Sequence, residues 1–441
     1  MMAPTFENIP VEILIINGSP RPKSNTSELI RHVSDGIATQ QGATISEFSF
    51  LNAHFGEIGY EDKKNSFDEL LSKWKSADGV IIAAPIYTAD IPGADYTGLD
   101  LLDSALEPDI GSVGKYDKAG GVLIQGSAPW GLQELGAQHI IERFVGLHTI
   151  PAERLVGRIA DKERPTDDLL SASYSFGQDI AKHAKLIKLA YEQPQSERAN
   201  ILLLNAGVEN PDVGNEISAR AKSAIEAAGA NVTTHSFIGK ALEGCRHCIG
   251  FCGSKGYCQY DDDFSEFLSK WLAADGYLTV VSADVQGQPA IVRRALDRLS
   301  EHVFQTGLRE LIQNGAPMFN YPKYSRPSGV ISYGRRRYGG QTEAIQSLIA
   351  HDVHRGNYPI GGRDPHSPLG AAGFVVQVSQ LGCDQFFTEA IDRLAEDVAD
   401  FSNRILTAKK IYYNTIPEAF YASREKMGVR DKEVYKNEFG Y

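Results

Sequence analysis

The sequence predicts two doubly wound α/β domains in tandem, each built on a parallel sheet. Three observations carry this. Short apolar runs bounded by Gly and Pro alternate with amphipathic helical stretches. That alternation is run through twice along the chain. The second pass also repeats residues of the first at matching positions, the mark of a duplication.

The first run, residues 11–16, leads into Asn17-Gly18-Ser19-Pro20-Arg21-Pro22-Lys23-Ser24-Asn25-Thr26, and a helix comes next with Leu29, Ile30, Val33 and Ile37 on one face. An unbroken apolar run of that length reads as a strand covered on both faces, as in a parallel sheet. Residues 79–84 and 121–125 are further strands of this kind. In the second pass, Ile201-Leu202-Leu203-Leu204-Asn205 echoes Ile13-Leu14-Ile15-Ile16-Asn17. Residues 67–79 and 264–276 are identical at nine of thirteen positions, Trp74 and Trp271 among them. Both tryptophans occupy periodic apolar helix positions, so core packing is expected of them rather than cofactor stacking. Gly121-Val122-Leu123-Ile124 with Gly126 and Gly131 parallels Gly329-Val330-Ile331-Ser332 with Gly334 and Gly339. The expected domains are 1–195 and 196–407, divided at a polar stretch around Pro194, with a Tyr- and Lys-rich tail at 408–441.

A chain of 441 residues, 42% hydrophobic and 23% charged, is large enough for two cores and too apolar for a disordered chain. Its net charge of −12 argues against nucleic acid or an anionic membrane surface as partner. No apolar run reaches the roughly 18 residues of a membrane span. Residues 1–10 lack the basic and apolar regions of a secretory signal. Of five cysteines, Cys245, Cys248, Cys252 and Cys258 crowd into one loop, while Cys383 stands alone. In a chain without an export signal, such crowding favours metal or redox use over disulfides, and the cytoplasm is the expected compartment.

A Gly-containing loop that opens a helix is an anion site, because unpaired backbone N–H groups and the helix dipole both face outward. Around this one, Ser19, Ser24 and Thr26 offer hydroxyls, Asn25 an amide and Arg21 a charged fork. Neither a nucleoside-triphosphate loop nor a three-glycine dinucleotide fingerprint is present. A plain helix cap at Ser24 or Asn25 is the alternative. The run Gly18-Ser19-Pro20-Arg21 with Ser24-Asn25-Thr26 resembles the FMN-phosphate loop of the NAD(P)H-dependent FMN reductases, a family of flavodoxin-like fold. Pro85-Ile86-Tyr87-Thr88 falls where that family lines the isoalloxazine ring, and Gly126-Ser127 with Trp130-Gly131 where a loop closes over it. The resemblance implies an FMN cofactor and NAD(P)H as electron donor.

The second copy of the phosphate loop has lost these groups. Glu209, Asp212 and Glu216 stand where hydroxyls and Arg21 stood, and a phosphate dianion would be repelled. At the second-loop position stands Ser282-Ala283-Asp284-Val285, so a second FMN is not expected. Instead this half carries Cys245-x2-Cys248-x3-Cys252-x5-Cys258. Four close thiols suit an iron–sulfur cluster better than structural zinc, which usually takes two separated Cys-x-x-Cys knuckles. A remnant loop or thiol chemistry is the third option. The segment resembles the cysteine motif of iron–sulfur flavoproteins, with one residue more than usual between Cys248 and Cys252, and implies a 4Fe-4S cluster. The acidic residues just beyond it, Asp263 with Glu266, read as a capping box. Related dimers set one subunit's flavin opposite its neighbour's cluster. The resemblance therefore implies an intramolecular pseudo-dimer with one working site of each kind, and leaves further oligomerisation open.

With no Ser-His-Asp or Cys-His constellation visible, the reacting centre is expected to be the flavin, with no protein acid or base in a catalytic role. Three functions compete. The first is an FMN-dependent oxidoreductase that reduces a small organic acceptor and exchanges electrons with the cluster. The second is an NAD(P)H-dependent FMN or quinone reductase with a structural cysteine loop. The third is a non-catalytic electron carrier or redox sensor. The basic run Arg335-Arg336-Arg337 reads as a solvated loop or an anion contact.

Overall fold

The chain divides into two compact units, Met1–Pro194 and Gln195–Tyr441. The structure, a computed structural model, describes residues 6–53, 66–86, 90–92, 97–102, 105–106, 116–127, 133–159, 163–248, 251–283, 287–314, 325–336, 339–363, 368–381 and 384–414. Cys383, Arg337 and the tail beyond 414 lie outside these residues.

In the first unit the strands β1 (Val11–Asn17), β2 (Ala43–Ser49), β3 (Gly79–Pro85), β4 (Lys118–Gly126) and β5 (Thr149–Arg158) form one sheet in the order β2-β1-β3-β4-β5, parallel throughout. Every residue of β3 is buried, which is why its run is unbroken, whereas the edge strand β2 exposes Thr44, Glu47 and Ser49. It carries the helices α1 (Asn25–Ala38), α2 (Phe67–Ser76), α3 (Gln133–Gly146) and α4 (Asp167–Glu192), and residues 97–102 are also helical. Ser24 is the N-cap of α1, its Oγ accepting from Ser27 N at 3.1 Å, and Leu29, Ile30, Val33 and Ile37 are buried on the face beneath. Trp74 is fully buried with its ring 6.2 Å from that of Phe144, a core residue as its periodicity predicts.

The second unit holds β6 (Asn200–Ala206), β7 (Asn231–Ser236), β8 (Gly276–Ala283), β9 (Pro327–Gly334), β10 (Tyr358–Pro359) and β11 (Ala371–Phe374). Its order is β10-β9-β8-β6-β7, with β11 also on β9. Taken from the other edge this is the order of the first unit, and both are the 2-1-3-4-5 order of the flavodoxin-like fold. The fifth strand comes in two pieces. β10 pairs with the start of β9 and β11 with its end. In the first unit the same place, opposite Gly120 and Gly121, holds a β-bulge at Ala152. A spot that tolerates one extra residue in one copy thus carries residues 360–370 in the other. Arg363 in that insertion is tied by both arms of its guanidinium to the buried Asp397.

The helices here are α5 (Pro211–Ala227), α6 (Phe251–Lys255), α7 (Phe264–Ala273), α8 (Ala290–Asn314), α9 (Gln341–His354), α10 (Val378–Leu381) and α11 (Gln385–Asn414). Trp271 on α7 stacks on Tyr277, centroids 5.4 Å apart, and is likewise core. No helix among the described residues is long and apolar enough to cross a membrane.

The expected capping box on α7 does not form. Asp263 makes no side-chain cap; its carboxylate takes Lys240 Nζ and Ala241 N, both at 3.0 Å. Glu266 reaches Lys270 at 2.7 Å and Lys240 at 3.2 Å. A lysine upstream competes for both carboxylates, and it fastens the chain entering the cysteine loop to α7.

This packing makes two outcomes testable. Helices α1 and α4 cross at paired glycines. A Cβ at Gly36 would run into Tyr174 O, and one at Gly177 into Val33 O. Gly177→Ala is expected to lower stability by about 1–3 kcal/mol, read from denaturant unfolding. Separately, Lys270 and then Lys240 hold the Glu266 carboxyl at about 2, below its ordinary 4.5. Its contribution to stability is therefore whole above pH 4.5 and is lost as pH falls to about 2. Glu266→Gln should flatten that part of the acid-unfolding curve, and an unchanged slope would refute the assignment.

Candidate functional site

All strands of a parallel sheet end on one edge, so the loops after β1, β3 and β4 emerge side by side at the β1/β3 switch point. Register enforces this: Asn17 lies opposite Ala83 and Pro85 opposite Gln125. Gly18 N to Ala83 O and Ile86 N to Gln125 O, each 2.8 Å, carry the ladder one residue past the strands.

In the first loop Asn17 Oδ1 accepts from Ser19 N at 3.0 Å and turns the chain out of the strand. Ser19 is buried, its Oγ accepting from Arg21 N at 3.3 Å. Ser24 caps α1, and Asn25 Nδ2 donates to Glu163 O at 3.2 Å. Thr26 is fully buried, its Oγ1 3.3 Å from Gln125 Nε2. The Arg21 side chain is exposed. This donor set fits a phosphate. A 14-residue helix opens there, the loop carries a free-standing guanidinium, and residues 18–27 hold no carboxylate. In the second and third loops Pro85 is buried at the end of β3, Ile86 packs over Gly136, Gly126 faces Gln133, and Ser127 is exposed. Tyr87, Thr88, Trp130 and Gly131 lie outside the described residues.

The second unit turns on the same side chain, with Asn205 Oδ1 accepting from Gly207 N at 3.0 Å. Beyond that turn the two loops diverge. Tyr333, buried on β9 at the position of Gln125, donates from its hydroxyl to Asn210 O at 2.9 Å and closes against Gly207 and Gly214. Ser282, at the position of Pro85, holds Glu209 N at 3.3 Å, and Arg335 binds Glu209 O at 2.9 Å. A tyrosine ring thus fills the cradle of the second copy, beyond the charge repulsion legible in sequence.

The four clustered cysteines form no disulfide, are half-buried, and line a single pocket with Phe251, Tyr260, Arg298, Glu301 and His302. Between the first two, His247 has a φ of 45°, a left-handed turn uncommon for a non-glycine residue. Burial pushes the Cys245 thiol up, opposed by a backbone hydrogen bond from His247. Gln259 Nε2 donates to Cys248 Sγ at 2.7 Å, and Arg298 Nη2 to Cys258 Sγ at 3.1 Å. Burial opposes the Arg298 charge, but Asp262 and Cys258 outweigh it and raise its pKa. Burial would likewise raise Asp262, but Arg298 and the N–H groups of Glu243 and Phe264 hold its carboxyl below the usual range. Among the described residues no group of three or more His, Cys, Asp or Glu side chains is spaced to grip a single metal ion. An all-sulfur set around one pocket suits a cluster, which spreads its thiolates wider than one ion does.

Sequence reasoning missed Arg298, Glu301 and His302. Their signal was a polar stripe at helical spacing on α8, far in sequence from the cysteines.

Residues 11–157 match the NADPH-dependent FMN reductase family. An iron–sulfur flavoprotein of Methanocaldococcus jannaschii is 28% identical over 198 residues, 40% of this chain and all of that protein. One from Methanosarcina thermophila is 30% identical over 108 residues, 24% of this chain and 48% of its own length. Among solved structures, RosB with a bound formylriboflavin-phosphate intermediate gives a TM-score of 0.36 at 17% identity, over 42% of this chain and 81% of that one. The NAD(P)H:quinone oxidoreductase of Methanothermobacter marburgensis gives 0.30 at 14%, over 43% and 100%. The family match thus lies within the first unit, and the chain is a flavodoxin-like, FMN-dependent oxidoreductase.

Proposed function

We propose that the chain passes electrons from NAD(P)H, by way of FMN in the first unit, to a small organic acceptor, and exchanges electrons with a 4Fe-4S cluster in the second. The observation that carries this reading is the division of labour between the copies. One has the donor loop without cysteines, and the other has four thiols around one pocket with its donor loop plugged. The names of the two relatives, both iron–sulfur flavoproteins, support the cluster.

In the first unit, Arg21, Ser19, Ser24, Asn25 and Thr26 with the opening turn of α1 would hold the phosphate. Residues 85–88, with Gly126, Ser127, Trp130 and Gly131, would line the ring. In the second unit, Cys245, Cys248, Cys252 and Cys258 would ligate iron. FMN supplies two-electron and one-electron chemistry and the cluster one-electron chemistry, so the chain's own task is to bind, orient and shield. A second reading, a nicotinamide-dependent FMN or quinone reductase whose cysteine loop is structural, competes with it.

Anaerobic reconstitution decides between them. About one FMN and about four iron per chain are expected, with broad absorbance beyond the flavin bands. Flavin uptake without iron selects the second reading, and uptake of neither refutes both. Arg21→Ala should weaken FMN binding by roughly 10- to 100-fold in fluorescence titration, the worth of one charged hydrogen bond to phosphate.

A further inference from the structure

Arg298 is only 3% exposed, yet it holds the cysteine loop at three points. Nη1 donates to Glu243 O at 3.3 Å and to Asp262 Oδ2 at 2.5 Å, residues that flank the cysteines on either side. Nη2 donates to Cys258 Sγ at 3.1 Å, and the guanidinium lies over the Phe264 ring, 4.2 Å from its centroid. Its Nε is buried without a hydrogen-bond partner. Asp262 and Glu243 alone would account for a clamp on the loop. The arm given to a sulfur is beyond what the clamp needs, because a neutral thiol is a weak acceptor and repays little of the cost of burying a cation.

We propose that Arg298 is a positioning residue that fixes Cys258 Sγ and raises the reduction potential of an iron–sulfur cluster held by the four cysteines, an assignment that rests on the cluster reading above. Hydrogen bonds to ligand sulfur and nearby positive charge stabilise the more negative, reduced cluster. Gln259 on Cys248 is the neutral counterpart, from an exposed side chain. Of the two donors, only Arg298 combines charge with burial.

The test uses the full chain, reconstituted anaerobically with ferrous iron and sulfide, as wild type, Arg298→Lys and Arg298→Met. Iron per chain, release of iron to a chelator, and the cluster midpoint potential are measured, the last by a mediated titration followed by electron paramagnetic resonance. The midpoint should fall in the order wild type, Lys, Met, since lysine keeps the charge and loses the fork. Iron should leave the Met variant roughly 10-fold faster, the scale of a lost supporting bond. Should Arg298→Met fail to fold with Asp262 left alone, Arg298→Lys and the double variant Arg298→Met with Asp262→Asn carry the comparison. Loaded variants with the wild-type midpoint overturn the assignment and leave the cluster standing. A wild-type chain that takes up flavin but no iron overturns the cluster reading and this assignment with it.

Discussion

Both units leave their first strand on the same interaction, an asparagine side chain that accepts the N–H two residues on, from Asn17 to Ser19 and from Asn205 to Gly207. That turn aims the chain from a buried parallel strand into a helix N-terminus and sets the opening of α1 beside the ends of β3 and β4. Whether the opening can accept an anion is then decided one strand away. Gln125 reaches sideways to Thr26 and leaves the loop to its hydroxyls and Arg21. Tyr333, at the same sheet position, reaches forward into the loop and binds Asn210 O. Two glycines, Gly207 and Gly214, let that ring in, since a methyl group on either would meet its hydroxyl.

The copy whose anion cradle is filled carries the four cysteines on the neighbouring connection. Among its described residues the cysteine segment has little regular structure beyond the short α6, so it needs external anchors. Lys240 holds Asp263 and Glu266 on its approach side, and Arg298 holds Glu243 and Asp262 at its two ends. These bonds confine the four sulfurs to one pocket. They also concentrate charge around that pocket, in a place where burial makes each ion costly unless it is matched. The match of Arg298 with Asp262 is close, and the thiol of Cys258 shares the same guanidinium.

Much of the architecture was legible in the sequence, because unbroken apolar runs and helical periodicity are local consequences of burial. The runs at 11–16, 79–84 and 121–125 became β1, β3 and β4, the last reaching back a further three residues to Lys118, and Leu29, Ile30, Val33 and Ile37 face the core. The edge strand β2 and the split fifth strand of the second unit carried no such signal. An edge strand is covered on fewer sides, and Tyr358–Pro359 is too short for periodicity to appear. The capping box failed for a related reason: the spacing of Asp263 and Glu266 was right, but a lysine distant in sequence outbid the helix for both carboxylates.

By itself, then, the sequence determined the doubled α/β scaffold, the donor-rich loop of one copy and the thiol-rich loop of the other, since each is written in contiguous residues. The tertiary structure decided what depends on residues brought together from afar. It put Tyr333 in the second cradle and Arg298 against Cys258, forty positions away. Such choices are made by side chains crossing between elements, and their geometry comes from sheet register and helix packing rather than from any local pattern.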